Sequence, residues 1–155
     1  MPRPAPIVHR CAAFVLDGLL TLLGAAAITA VTNAPLLGAG GWQQPDGLGK
    51  LMIIFVVAQT LLQFIYHAWS LSRSGATAGK RLLGLRVETS AGKRPAFVDA
   101  GLRGTVGYSL SGLPLGLGFW RALRGGRGQT WHDQLFRTRV VRGNSGAASA
   151  PMLER

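Results

Sequence analysis

Between Cys11 and Val31 the chain carries a single side chain charged at neutral pH, Asp17, within an otherwise uncharged and largely apolar run. A bilayer core roughly 30 Å thick needs a helix of about 20 such residues. Residues 10–31 therefore read as a membrane-spanning helix with Arg10 at its mouth. A carboxylate near mid-membrane costs about 3 kcal/mol or more on insertion. Asp17 must then face protein or water, either as a proton or cation site or as an anchor paired with an arginine from another helix. Arg10 lies two turns earlier on nearly the same helix face.

The remaining composition fits this reading. In 155 residues, 48% are hydrophobic and only 15% charged, yet the formal net charge is +11. One domain is expected at this length. The apolar residues fall into two blocks, 11–31 and 51–72, with the arginines and lysines outside them, which is membrane-protein patterning. The lone cysteine, Cys11, excludes an internal disulfide and any cysteine-based zinc cluster. It is read either as a buried small residue or as a palmitoylation site. A secretory signal would place Arg3 and Arg10 before an apolar core ending near Ala25, but Asp17 in that core argues against it.

Residues 32–50 form a loop of near-zero net charge. The second span, 51–72, carries Gln59, Gln63 and His67 four residues apart, so they share one helix face, which Thr60 and Ser70 widen. Leu51, Ile54, Val57, Leu61 and Ile65 cover the other sides. The polar stripe either hydrogen-bonds a neighbouring helix or lines a wet route.

The segment 73–94 sets Arg73, Lys80, Arg81, Arg86, Lys93 and Arg94 against Glu88 alone. The positive-inside rule makes it cytoplasmic, together with the amino-terminal residues 1–9. Residues 83–89 alternate as a short strand, with a turn at Ser90, Ala91 and Gly92. Glycines and Pro114 interrupt the stretch 97–120, which predicts a helix over 97–111 and a shorter one over 115–123. That broken pair returns the basic carboxy-terminal segment to the cytoplasm. Residues 137–141 read as a second strand, and 143–155 as a disordered tail. The two strands are expected to pair, with Arg86 near Arg139.

Few motifs carry chemistry. Gly75 to Lys80 has three residues between its glycines and Arg81 where a magnesium-binding hydroxyl belongs, so it is no phosphate-binding P-loop. The Lys80–Arg81 pair is expected on anionic headgroups or a helix end. His132 and Asp133 diverge by about 100° on a helix and cannot form a catalytic dyad; Asp133 is placed to cap or to pair with arginines. His9, His67 and His132 without a cysteine cluster give no metal site. No nucleophile and base stand together, so neither an enzyme nor a cofactor is expected. Arg103 needs an anion, either Asp99 on its own face or Asp17 at membrane depth, and an Asp17–Arg103 approach is expected. Gly101, Gly104, Gly107, Gly112 and Gly116 permit close helix approach. The Arg124 to Gly128 run is read as a basic juxtamembrane loop rather than a nucleic-acid site.

These pieces together resemble the RDD family. Arg10, Ala13 and Asp17 are similar to its opening pattern, and residues 77–87, with Thr77, Gly79, Lys80 and Arg81, to its T-P-G-K-R motif. Residues 100–103 resemble its arginine-bearing third segment. His132 and Asp133, followed by Thr138, Arg139, Val140 and Val141, resemble its closing signature. Ala78 replaces the usual proline, and Arg137 stands where glycine is common. The resemblance implies that the name-giving residues are Arg10, Asp17 and Asp133, in a small multi-pass membrane protein of poorly defined function, often proposed to be transport, with cation exchange against protons as one form. The expected fold is a mainly α membrane domain over residues 10–142, with two full transmembrane helices, a broken third and fourth pair, and a small cytoplasmic β-ribbon. Two functions stay open. One is a transporter component in which Asp17 titrates, Gln59, Gln63 and His67 line the route, and Arg103 tunes the carboxyl. The other is a non-catalytic accessory or assembly subunit, a homo-oligomer or part of a larger membrane complex, docked on lipid or a partner through its basic face.

Overall fold

The computed structural model describes residues 5–34, 38, 40, 45–107, 109 and 130–143. Two long helices dominate it, α1 (Ile7–Thr32) and α2 (Gly47–Ser74). Both are long and apolar enough to cross a membrane, each about 40 Å at 1.5 Å per residue. They extend the expected spans by a few residues at each end. Gly47 to Lys50, expected in the loop, are the first turn of α2. Gly75 ends α2 with φ +72, donating its N–H to the Leu71 carbonyl at 2.9 Å; a left-handed turn of this kind suits glycine.

The interior face of α1 is Arg10, Ala13, Asp17, Thr21 and Ala25, small or polar at intervals of three and four. The large aliphatics Val15, Leu19, Leu23 and Ile28 point outward. α2 repeats the pattern: His67, Ala68 and Leu71 are buried, whereas Ile53, Val57, Leu61 and Ile65 are exposed. Thr60, expected on the polar stripe, faces out and donates to the Val56 carbonyl.

After α2 comes a short helix, α3 (Ala78–Leu82), then strand β1 (Leu85–Thr89). Helix α4 (Phe97–Leu102) passes into a π-helical turn over Arg103–Gly107, and a later short helix, α5 (Trp131–Leu135), leads into β2 (Thr138–Arg142). The expected regular helix over 97–111 is thus α-helical over its first six residues and π-helical over the next five. This stretch packs closely against α2. A Cβ on Gly101 would lie 2.5 Å from the Phe64 ring, and one on Gly104 would overlap His67. The expected break at Pro114, the helix over 115–123, Gly112, Gly116, the Arg124 to Gly128 run and all of the expected tail except Gly143 lie outside the described residues.

β1 and β2 pair antiparallel, with Val87 opposite Val140 and Glu88 opposite Arg139. The ribbon is as expected, but Arg86 faces Val141 rather than Arg139. It is tied to the ends of both long helices, since Ala5 donates to the Val140 carbonyl at 3.1 Å and Val87 to that of Gly75 at 2.7 Å. Ala5, Ala13, Leu71, Leu85, Val87, Ala100 and Val140 form the apolar core at this junction.

Residues 77–89 and 130–142 fold alike. Thr77 and Thr130 cap the two short helices at φ/ψ −78/169 and −79/171, and Leu83 and Phe136 close them, both at −98/11. Gly84 and Arg137 follow with φ +63 and +49, and each leads into a five-residue strand. Val87 and Val140 are equivalent positions and also face each other. A local two-fold axis therefore passes between them.

Candidate functional site

Each of these two units meets a charged residue from a longer helix. In the first, the α3 end folds around the Asp17 carboxylate. Oδ1 accepts the Gly79 N–H at 2.8 Å and the Tyr66 hydroxyl at 2.6 Å; Oδ2 accepts the Thr77 hydroxyl at 2.5 Å and faces Lys80 Nζ at 3.4 Å. Lys80 Nζ also donates to Thr77 Oγ1 at 3.1 Å, and Tyr66 accepts the Ala78 N–H at 2.8 Å. Gly79 makes this approach possible, because a Cβ there would lie 2.6 Å from the Ala13 carbonyl oxygen. The glycine-lysine segment does cradle an anion, and that anion is the chain's own carboxylate. Asp17 is 1% exposed and Lys80 4%, so the ion pair is a buried one.

In the second unit the polarity is reversed. Asp133 occupies the position equivalent to Lys80, and Arg103 Nη2 meets its Oδ1 at 2.5 Å. Arg10 reaches the other oxygen, Oδ2, from α1. Arg103 Nε donates to Thr138 Oγ1 at 3.1 Å. Thr130 and Asp133 form a capping box, each side chain accepting from the other's backbone N–H; this satisfies two donors at the helix start. Burial alone would raise the Asp133 carboxyl, but the Arg103 guanidinium, with Arg10, holds it well below the usual carboxylate range. Burial pushes the adjacent His132 imidazole well below its ordinary value, and the Arg103 charge pushes it further. His132 is therefore neutral, 2.9 Å from Thr130 Oγ1.

Arg10 and Asp17 lie on one buried face of α1, as their spacing requires, yet they serve different units: Asp17 the first, Arg10 the second. The expected approach of Asp17 and Arg103 does not occur. Arg103 spends its guanidinium on Asp133 and Thr138, and Asp17 is enclosed by α3 and Tyr66. Asp99, the other candidate partner for Arg103, is exposed. Lys80, expected at headgroups, is buried on Asp17; Arg81 is exposed and donates to Ser74 Oγ at 2.6 Å. Cys11 is exposed rather than buried.

The stripe on α2 joins helices together. Gln63 Nε2 donates to the Gly104 carbonyl at 2.6 Å, within the π-helical turn, and Gln59 Nε2 lies 3.3 Å from Thr21 Oγ1. His67 Nδ1 sits 2.9 Å from the Gln63 carbonyl oxygen. Among the described residues no three His, Cys, Asp or Glu side chains are placed to hold a metal ion.

Sequence reasoning missed the roles of Tyr66, Thr130 and Thr138, and the repeat itself. The signal for the repeat was present, because a threonine precedes a five-residue helix, a two-residue turn and an Arg-Val strand in both copies. The charge reversal hides it, since Lys80 aligns with Asp133 and Gly79 with His132.

Comparison with known proteins places this arrangement in a family. A relative 26% identical over 151 residues, covering 91% of this chain and 99% of its own length, is the uncharacterized protein YxaI of Bacillus subtilis (strain 168). No solved structure matches the chain. The family model for the RDD family matches residues 4–137, which include Arg10, Asp17, Lys80, Arg103 and Asp133, the charges that tie α1 and the π-helical turn to the two repeated units. The chain belongs to the RDD family.

Proposed function

We propose that the protein is a multi-pass membrane protein of the cell membrane, with α1 and α2 spanning the bilayer and both ends in the cytoplasm, and that it works as a non-catalytic accessory or assembly subunit. Its surface supports the membrane placement. Large aliphatic side chains face outward along both long helices while carboxylate, threonine and glutamines face inward, the inverse of a helix pair that buries its apolar faces away from water. Trp69, exposed near the end of α2, carries Arg73 over its ring at 5.4 Å, a pairing suited to the membrane–water interface. Arg73, Arg81, Lys93 and Arg94 are exposed around the ribbon, which supports a cytoplasmic position and contact with anionic headgroups.

One observation carries the accessory reading. The three buried carboxylates among the described residues, Asp17, Glu88 and Asp133, and the amide nitrogens of Gln59 and Gln63, are engaged by partners within the chain, so these polar groups act as internal ties. The outward apolar faces are then what the molecule offers to a second copy or to other membrane subunits.

A transport role, as cation and proton exchange, is the second reading. The buried Asp17–Lys80 pair favours it, because protonating the carboxylate would separate the two groups. Proteoliposomes holding the purified protein discriminate the two. The accessory reading expects no cation-driven proton flux, together with a stoichiometric partner or second copy retained in mild detergent. Flux that disappears in Asp17→Asn would overturn it.

A further inference from the structure

Leu61, Ile65, Trp69 and Arg73 follow one another at intervals of four and share one outward stripe of α2. All four are exposed, the first three at 57%, 55% and 57%. Two aliphatics, an indole and a guanidinium stand in the order in which a bilayer passes from hydrocarbon to headgroup.

Arg73 has company at that end. Arg94 Nη1 donates to the Arg73 carbonyl, and Arg81 Nη2 donates to Ser74 Oγ at 2.6 Å. Three guanidiniums thus meet the last turn of α2 from three segments: the helix itself, α3 and the stretch after β1. Each is exposed, and among the described residues none of the three pairs with a carboxylate. Capping of the helix end accounts for part of the cluster. That end carries roughly half a unit of negative charge, against three positive ones. The contacts named use one donor each of Arg81 and Arg94, where a guanidinium has about five.

In the other direction the stripe runs into an apolar groove of about 450 Å³, lined by Leu61, Leu62 and Ile65 of α2 and by Ile28 of α1 among others. At 1.5 Å per residue, Ile65 lies about 12 Å along the axis from Arg73, and Leu61 about 18 Å. One leaflet of hydrocarbon is about 15 Å deep. An acyl chain whose phosphate sits at Arg73 therefore reaches the near end of the groove. A soluble polyanion would use the arginines and leave the stripe bare.

We propose that this end of α2 binds one anionic glycerophospholipid of the cytoplasmic leaflet. Arg73, Arg81 and Arg94 hold its phosphate, Trp69 lies beside its glycerol, and one acyl chain follows Ile65 into the groove. The site requires the membrane placement proposed above, with α2 spanning and the ribbon cytoplasmic. The lipid then fastens α3 and the stretch after β1 to the membrane surface.

The test is native mass spectrometry of the full chain in mild non-ionic detergent, offered phosphatidylglycerol or phosphatidylcholine with the same acyl chains. One phosphatidylglycerol per chain should be retained, with a roughly tenfold preference over phosphatidylcholine. Arg73→Gln, Arg81→Gln and Arg94→Gln together should abolish the preference. Lys93→Gln, Arg137→Gln and Arg142→Gln remove the same charge from other exposed positions around the ribbon and should leave it intact. Equal loss in both triple variants would overturn the site in favour of diffuse attraction, and displacement of the lipid by inorganic phosphate would overturn the lipid as occupant. Should the first variant not fold, wild-type protein that retains both lipids equally overturns the site as well. Placement is read separately, with a membrane-impermeant maleimide on Cys11→Ala combined with Lys93→Cys. A thiol at position 93 that labels only after cells are permeabilised keeps the placement, so an absent lipid preference then strikes the site alone. Labelling in intact cells strikes both.

Discussion

At the residue scale, the Asp17–Lys80 pair is a liability when broken and of small net worth when intact. Two buried charges forfeit most of their hydration, which their mutual attraction only about repays. Removing one partner leaves the other charge uncompensated. Asp17→Asn is therefore expected to cost about 3–5 kcal/mol, read by chemical unfolding in detergent. Asp17→Asn combined with Lys80→Met removes both charges and should recover most of that loss, so the two single losses should be far from additive. Losses that simply add would mean that the two side chains do not depend on each other. This bears on any flux assay, because the single variant weakens the fold as well as the proposed coupling group.

At the element scale, the repeated helix-turn-strand unit requires a left-handed residue just before each strand. Gly84 meets this at φ +63, whereas Arg137 adopts φ +49, which costs a side-chain-bearing residue about 1–2 kcal/mol. Arg137 is exposed, so nothing is lost from a packed interior when its side chain is removed. Arg137→Gly should stabilise the protein by about 0.5–1 kcal/mol, once the extra freedom of glycine in the unfolded chain is discounted. A destabilised variant would show that the arginine side chain supports the turn. The strands were legible within two residues from their alternation, and the two long helices from apolar length. Asp133 was legible as a residue placed to cap or to pair with arginines, but Thr130 and the short helix it opens were not. Nor was partner choice. Helical spacing places Asp17 and Arg103 on interior faces, but which opposite charge each meets is decided by two five-residue helices whose approach depends on Gly79 and on the threonine caps. The π-helical turn was likewise hidden, because no local sequence signal marks it; the glycines show only that this stretch lies against α2.

At the scale of the whole molecule, the clusters couple stability to pH through His132. The folded protein holds this imidazole neutral well below its ordinary value, while the unfolded chain takes up a proton near pH 6.5. Below that pH the unfolded state binds a proton the folded state refuses, so stability falls on acidification. His132's contribution is fully present above about pH 6.5 and declines by up to roughly 1.4 kcal/mol per unit beneath it. Asp133 acts in a different window. Its carboxyl is depressed in the fold, so its contribution is complete above about pH 4 and is lost only in stronger acid. Between pH 6.5 and 4.5, therefore, the difference between wild type and His132→Gln isolates the imidazole. Unfolding curves over that range should show the wild type losing stability more steeply than the variant. Parallel profiles would mean that His132 takes up its proton within the fold, in a cluster already rich in positive charge.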